Sequence, residues 1–354
     1  MQHFRQIREA LGDNDAMLLT SVPNRFYASG FQNSSGAVIV TKDGANYVYT
    51  DSRYIEAAQN TIEDATVEEV TGGFKGYMAV IRDVIAKHNI KKLGFEESDT
   101  PYVAYGLIEK ELGVELYPNQ EPVTAKRAEK TPEEIEAMLE AEAISEKSYL
   151  ETLEFITPEK TEKEIAAYLL YRMLSNGAED KSFDPIVVSA EHSSMPHGVP
   201  STMKIKKGFL TMDFGVKYKG YCSDTTRTIC IGQPTEEMKK IYYTVYDAQM
   251  AGIEKAAVGV PCCDIDRAGR DVIEKAGYGK YFGHGFGHSL GIEIHEFPRA
   301  SLSCDYLMRS GTVMTAEPGI YLPGKFGVRI EDVLYVTDEG CRDITKLDKN
   351  LIIL

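Results

Sequence analysis

The sequence predicts two domains, a small α/β domain up to about Pro122 and a larger region built from two similar halves that face each other. Three observations carry this. Residues 1–122 alternate short strand-like and helix-like patterns, a strongly signalled helix start follows at Thr131, and landmarks beyond it recur with a period near 103.

In the first domain, the apolar runs Ala37 to Val40 and Tyr47 to Tyr49 flank Lys42-Asp43-Gly44, which reads as a hairpin. Helical patterning follows over Tyr54 to Asn60 and Gly76 to His88, then a strand over Lys92 to Phe95. The stretch Glu121 to Thr131 is polar and carries Pro122, so residues 123–131 are expected to link residues 1–122 to a domain over 132–354. That domain opens with Thr131 as N-cap, Pro132 in the first turn and Glu134 completing a capping box. Glu133-Glu134 matches Glu236-Glu237, Thr161 matches Asp264, Gly208 matches Gly311 and Asp213 matches Glu317, at offsets of 103, 103, 103 and 104. A cleft between the halves is the natural place for a site.

A chain of 354 residues with 43% hydrophobic content can bury a substantial core. Its formal charge of -15 repels phosphate backbones, which argues against nucleic acid as a partner. Met1 to Thr20 lacks the apolar core of a signal peptide, and no run approaches the roughly 20 apolar residues of a membrane helix. The six cysteines lack zinc-knuckle spacing, so reduced thiols and a cytoplasmic location are expected. Part of the acidity is available to a metal site, where a cation neutralises it locally.

The acids fall in a pattern. Gly208 to Val216 and Tyr221 to Ile231 read as strands joined by Lys217-Tyr218-Lys219-Gly220. A two-residue loop there pairs residues whose numbers sum to an odd value, which places Asp213 and Asp224 on one face. Two carboxylates aimed into one space repel unless a cation lies between them. In the second half, Thr312 to Glu317 reads as a strand ending at Pro318-Gly319, and Val328 to Val336 as a strand carrying Glu331. Arg329, two residues earlier, shares its face. Between the halves, Phe282 to Gly291 holds His284 and His288 among glycines that let backbone pass close to a ligand. Singly, such an Asp is more often a surface residue and such a His a hydrogen-bonded polar residue. Jointly, four carboxylates and one imidazole fit a pair of divalent ions, with Mn²⁺, Co²⁺, Zn²⁺ and Fe²⁺ all open.

Met212-Asp213-Phe214-Gly215, Ser223-Asp224-Thr225-Thr226-Arg227, His284 to Glu296, Thr315-Ala316-Glu317-Pro318-Gly319 and Val328-Arg329-Ile330-Glu331-Asp332 resemble the prolidase and aminopeptidase P family. The resemblance spans most of 131–354 and implies an α+β pita-bread catalytic domain with two pseudo-symmetric halves. Tyr27-Ala28-Ser29-Gly30-Phe31 and Thr50-Asp51-Ser52-Arg53-Tyr54 are similar to the creatinase-like α/β domain that precedes it in the family. Phe286 departs from the pattern, since relatives usually carry a smaller residue there.

The resemblance implies that Asp213, Asp224, His288, Glu317 and Glu331 hold two metal ions, Mn²⁺ being the first expectation. Hydrolysis of the bond between an N-terminal residue and proline is the implied activity. Glu317 is implied as ligand and proton acceptor, His295 as proton shuttle, and His197 as hydrogen-bond donor. His284, Arg329 and Tyr321 are implied to bind substrate with them. Small peptides with proline second are the expected partners, and a homodimer the expected assembly. Xaa-Pro dipeptidase is placed ahead of Xaa-Pro aminopeptidase by the short chain. A metal-free creatinase-like hydrolase and a non-catalytic binding module are disfavoured, because no proposed ligand is missing. Methionine aminopeptidase shares the ligand plan but normally lacks the first domain.

Overall fold

Aliphatic runs buried on both faces, such as Ala16–Leu19, set the first sheet of the computed structural model, which describes all 354 residues. The chain divides into two units, Met1–Arg127 and Ala128–Leu354. In the first, the elements run α1 (Phe4–Glu9), β1 (Ala16–Leu19), α2 (Val22–Ser29), β2 (Gly36–Thr41), β3 (Asn46–Thr50), α3 (Ile55–Thr61), β4 (Thr66–Glu69), α4 (Gly73–Lys87), β5 (Lys92–Phe95), α5 (Tyr102–Leu112), β6 (Glu115–Pro118) and α6 (Gln120–Ala128). The sheet order is β4-β3-β2-β1-β5-β6, with β1 antiparallel to β2 and parallel to β5. Ile39, Leu93, Ile81 and Val84 meet in its core. The division falls within the expected linker, but much of that segment is helical, because α6 runs to Ala128.

The second unit opens on α7 (Pro132–Phe155), capped by Thr131 and Glu134 in a complete capping box. α8 (Glu162–Ser175) repeats the device with Thr161 and Glu164. The strands β7 (Asp180–Lys181), β8 (Ile186–Ser189), β9 (Gly208–Phe214), β10 (Val216–Tyr218), β11 (Tyr221–Cys222) and β12 (Thr225–Ile231) complete this half. The other half runs α9 (Glu236–Lys255), α10 (Cys262–Lys275), β13 (Gly287–Ser289), β14 (Glu296–Ala300), β15 (Val313–Ala316), β16 (Gly319–Leu322), β17 (Phe326–Arg329), β18 (Asp332–Thr337) and β19 (Gly340–Asp343).

The halves correspond. The order β12-β9-β8 in one sheet is matched by β18-β15-β13 within the other. α8 and α10 are both 14 residues long and start 100 positions apart, so Thr161 corresponds to the N-cap Pro261 and not to Asp264. α9 has 20 residues where α7 has 24, so the helices start 104 positions apart and end 100 apart. The offset returns to 103 at Gly208 and Gly311, where both glycines take positive φ before a central strand.

Three expected strands are interrupted. The first hairpin keeps its odd register, Tyr218 pairing with Tyr221 and Asp213 with Thr226, but breaks at Gly215 and at Ser223-Asp224. There the Ser223 hydroxyl accepts from Val216 N at 2.9 Å and relieves the ladder, leaving the Asp224 N–H free to turn elsewhere. The strand expected over Val328 to Val336 is two strands, β17 and β18, in different sheets. Its break has a cause: Glu331 N donates across to Thr226 O at 3.1 Å.

Candidate active site

Asp213 projects from β9 and Asp224 from the break before β12, on the same face, as the register requires. His288 comes from β13, Glu317 follows β15, and Glu331 lies between β17 and β18. All five line one cavity of about 990 Å³, with His197, His284, His295 and Arg329. Tyr321 is not on its wall. Its strand pairing with Gly327 lays the ring inside the fold, and its hydroxyl bonds His284 Nε2 at 3.0 Å and Arg329 Nη1 at 2.9 Å.

Gly285 and Gly287 line the cavity, and Gly287 also lets backbone approach backbone. A methyl at Gly287 would overlap Thr315 O, so glycine lets β13 close on β15. His288 N then donates to Thr315 Oγ1 at 3.0 Å. His288 Nδ1 lies 3.1 Å from Ser289 O, and since a carbonyl only accepts, Nδ1 carries the proton. Nε2 therefore presents its lone pair to Asp224 Oδ2 at 3.5 Å and Glu317 Oε1 at 3.4 Å. Burial, reinforced by His295, lowers His288 to about 3, so the ring is neutral at ordinary pH.

Electron-rich atoms facing each other at this range repel, and a cation between them removes the repulsion. Donor atoms of Asp224, His288 and Glu331 all lie within 4.8 Å of one another. Asp213 Oδ1 is buried without a hydrogen-bond partner. Burial, and then the neighbouring acids, raise Asp224 and Glu331 well above the usual carboxylate range. The donor set, hard oxygens with one imidazole, fits divalent metal ions.

The acids are held by residues that sequence reasoning missed. Thr226 Oγ1 donates to Glu331 Oε2 at 2.6 Å and accepts from Arg329 Nε at 3.0 Å. Thr315 Oγ1 donates to Glu317 Oε1 at 3.3 Å. Both threonines stand two residues from an acid on a strand path, the one signal available beforehand. Glu142, fully buried on α7, accepts from Asp224 N at 3.2 Å and Thr225 Oγ1 at 3.0 Å. Burial pushes its carboxyl up to about 8.

The cations divide in role. Arg329 donates from Nη2 to Asp213 Oδ2 at 2.6 Å and is buried, fully engaged with Asp213, Thr226 and Tyr321. Arg299, absent from the sequence expectations, is exposed on β14, lines the cavity and has no ion pair. His295 is exposed, its ring edge-to-face on His288 at 4.4 Å between centroids. His284 donates from Nδ1 to Gly285 O at 2.9 Å and so accepts from the Tyr321 hydroxyl.

Residues 136–338 match the family described as metallopeptidase family M24, and residues 1–128 the creatinase/prolidase N-terminal domain. A Xaa-Pro dipeptidase of Pyrococcus horikoshii is 36% identical over 359 residues, covering 99% of each chain. The solved Xaa-Pro dipeptidase from Bacillus anthracis superposes with a TM-score of 0.94 at 38% identity, covering 99% of each chain. An X-Pro aminopeptidase structure from Thermotoga maritima gives 0.92 at 35% identity, covering 99% of this chain and 100% of that one.

Proposed function

Since the chain belongs to metallopeptidase family M24, we propose that it is a Xaa-Pro dipeptidase that hydrolyses the bond between an N-terminal residue and proline. The observation that carries the reading is the His288 Nε2 lone pair facing two carboxylates in a cavity that holds all five proposed ligands. Asp213, Asp224, His288, Glu317 and Glu331 would hold two divalent ions, which acidify water and polarise the scissile carbonyl when bound. Mn²⁺ is the ion proposed, because four hard carboxylates outnumber one imidazole.

The chain's own groups then divide the work. Glu317 accepts the proton of the attacking water. His295, exposed to the cavity, delivers a proton to the leaving proline nitrogen. His197 donates to the carbonyl oxygen as it becomes tetrahedral. Arg299, a cation without a partner, suits the carboxylate of a dipeptide, whereas Arg329, expected to bind substrate, orients Asp213. Tyr321 and His284 support Arg329 from behind.

A second reading, Xaa-Pro aminopeptidase, is favoured by the size of the cavity, about 990 Å³, which leaves room beyond a dipeptide. The discriminating measurement is kcat/KM for Ala-Pro, Ala-Pro-Ala and Ala-Ala-Ala with Mn²⁺, Co²⁺ and Zn²⁺ in turn. The dipeptidase reading expects Ala-Pro to lead. A lead for Ala-Pro-Ala reverses the two names, and cleavage of Ala-Ala-Ala alone ends proline specificity. A cytoplasmic location is proposed from six unpaired thiols, and no helix is long and apolar enough to cross a membrane. The homodimer is likewise proposed, and sedimentation of the purified protein decides it.

A further inference from the structure

His197 occupies a loop between β8 and Ser201, and its exposed side chain makes no hydrogen bond or ion pair within the chain. Its place in the cavity is therefore set by its backbone. That backbone converges on one buried acid. Glu162 Oε1 accepts from Ser189 N at 2.7 Å and Ser189 Oγ at 3.1 Å, at the start of the loop. Glu162 Oε2 accepts from Ser201 N at 3.0 Å and Ser201 Oγ at 2.7 Å, at its end. His192 Nδ1, inside the loop, lies 2.9 Å from the same Oε2.

Glu162 is itself buried and held by its own backbone. It is 0% exposed, stands at the first position of α8 behind the Thr161 cap, and its N–H donates to Met203 O at 3.2 Å. The far side of His192 reaches the residue after His197. A methyl at Gly198 would lie 3.1 Å from His192 Nε2 and 2.7 Å from Val188 Cγ1, so the loop passes this point in close contact. Two side chains off the cavity wall, Glu162 and His192, thus hold the backbone that carries His197.

We propose that Glu162 is a positioning residue, clamping both ends of the His197 loop and, through His192, setting where the His197 imidazole stands for catalysis. The inference rests on the role proposed above for His197. A carboxylate is required because all five contacting groups are donors. Glutamine has nearly the same shape, but its amide nitrogen would meet one pair of those donors with a donor of its own. A displacement of about 1 Å in a positioned group can cost about 10²-fold in rate.

The test is a double-mutant cycle on an Xaa-Pro dipeptide using Glu162→Gln, His197→Ala and the pair, with metal content and Tm measured for each. Glu162→Gln is expected to lower kcat by about 10- to 100-fold with metal retained, and to cost less than about 2-fold more in the His197→Ala background. Wild-type kcat in Glu162→Gln, or losses that multiply in the pair, would overturn the proposal. Should Glu162→Gln fail to fold, His192→Ala takes its place in the cycle, with the same outcomes required. If His197→Ala alone turns over normally, the role of His197 falls. The imidazole ¹⁵N signals of His197 then decide the positioning separately: displaced or broadened in Glu162→Gln sustains it, unchanged removes it.

Discussion

A proton on His288 Nδ1, held by Ser289 O, leaves the Nε2 lone pair facing Asp224 and Glu317, where the proposed cation would be held. His288→Ala and Asp224→Asn are therefore expected to lose metal and activity together, while His295→Ala keeps its metal and loses about 10²- to 10⁴-fold in kcat. Metal analysis of folded variants checks both halves of that contrast; a metal-free His295→Ala would redraw the ligand set. His284 offers a test of stability. Burial, and then Arg329, lower it to about 4. The unfolded chain takes up this proton near the ordinary value of about 6.5, so the stabilisation is present above that value and is lost as pH falls toward 4. By pH 5 the loss amounts to about 2 kcal/mol, and urea midpoints of His284→Gln should depend less on pH between 7 and 5 than those of the wild type. Equal slopes would show that the ring titrates normally. At this scale the acids were legible in the sequence, because strand parity fixes a face without knowledge of the partner. Glu142, Glu162 and Arg299 were not. A glutamate on a helix looks the same whether it faces solvent or the backbone of Asp224, and only the fold leaves Arg299 unpaired while pairing Arg329.

Between residue and domain, the helices α9 and α10 show what the departure at Phe286 requires. The Phe286 ring is fully buried, and a methyl at either Gly252 on α9 or Gly269 on α10 would overlap it. Two helical glycines, each intrinsically unfavourable by about 1 kcal/mol, thus make the space for one large side chain between His284 and His288. Gly269→Ala should destabilise the protein by about 1–3 kcal/mol despite its better helix propensity, and Phe286→Leu in the same chain should recover part of the loss. Thermal or urea unfolding reads both; a stabilised Gly269→Ala would mean that the ring has room to move. Element starts were legible where capping chemistry is local, as at Thr131 and Thr161. The interruption at Glu331 was not, because its cause, Thr226 O, lies about a hundred positions away in sequence.

Across the whole molecule, the proposed ligands come from both halves of the second unit, so bound metal is a cross-link between two sheets. Removing it with a chelator should speed amide exchange in β9, β12, β15 and β18 and leave β1, β2 and β3 of the first unit unchanged. Uniform exchange with and without chelator would mean that the sheets hold each other unaided. The pseudo-symmetry was partly legible at this scale. A period near 103 could be found from glycines and acids, but the 100-residue spacing of α8 and α10 could not, since α10 follows Pro261 as N-cap, with no capping side chain. The same spread of ligands bears on how the protein is made. During synthesis the first sheet, complete by Pro118, can close before any ligand has been translated. Asp213 and Asp224 emerge next, and Glu331 only about a hundred residues later. With all five residues as ligands, metal loading would wait until both halves of the second unit exist.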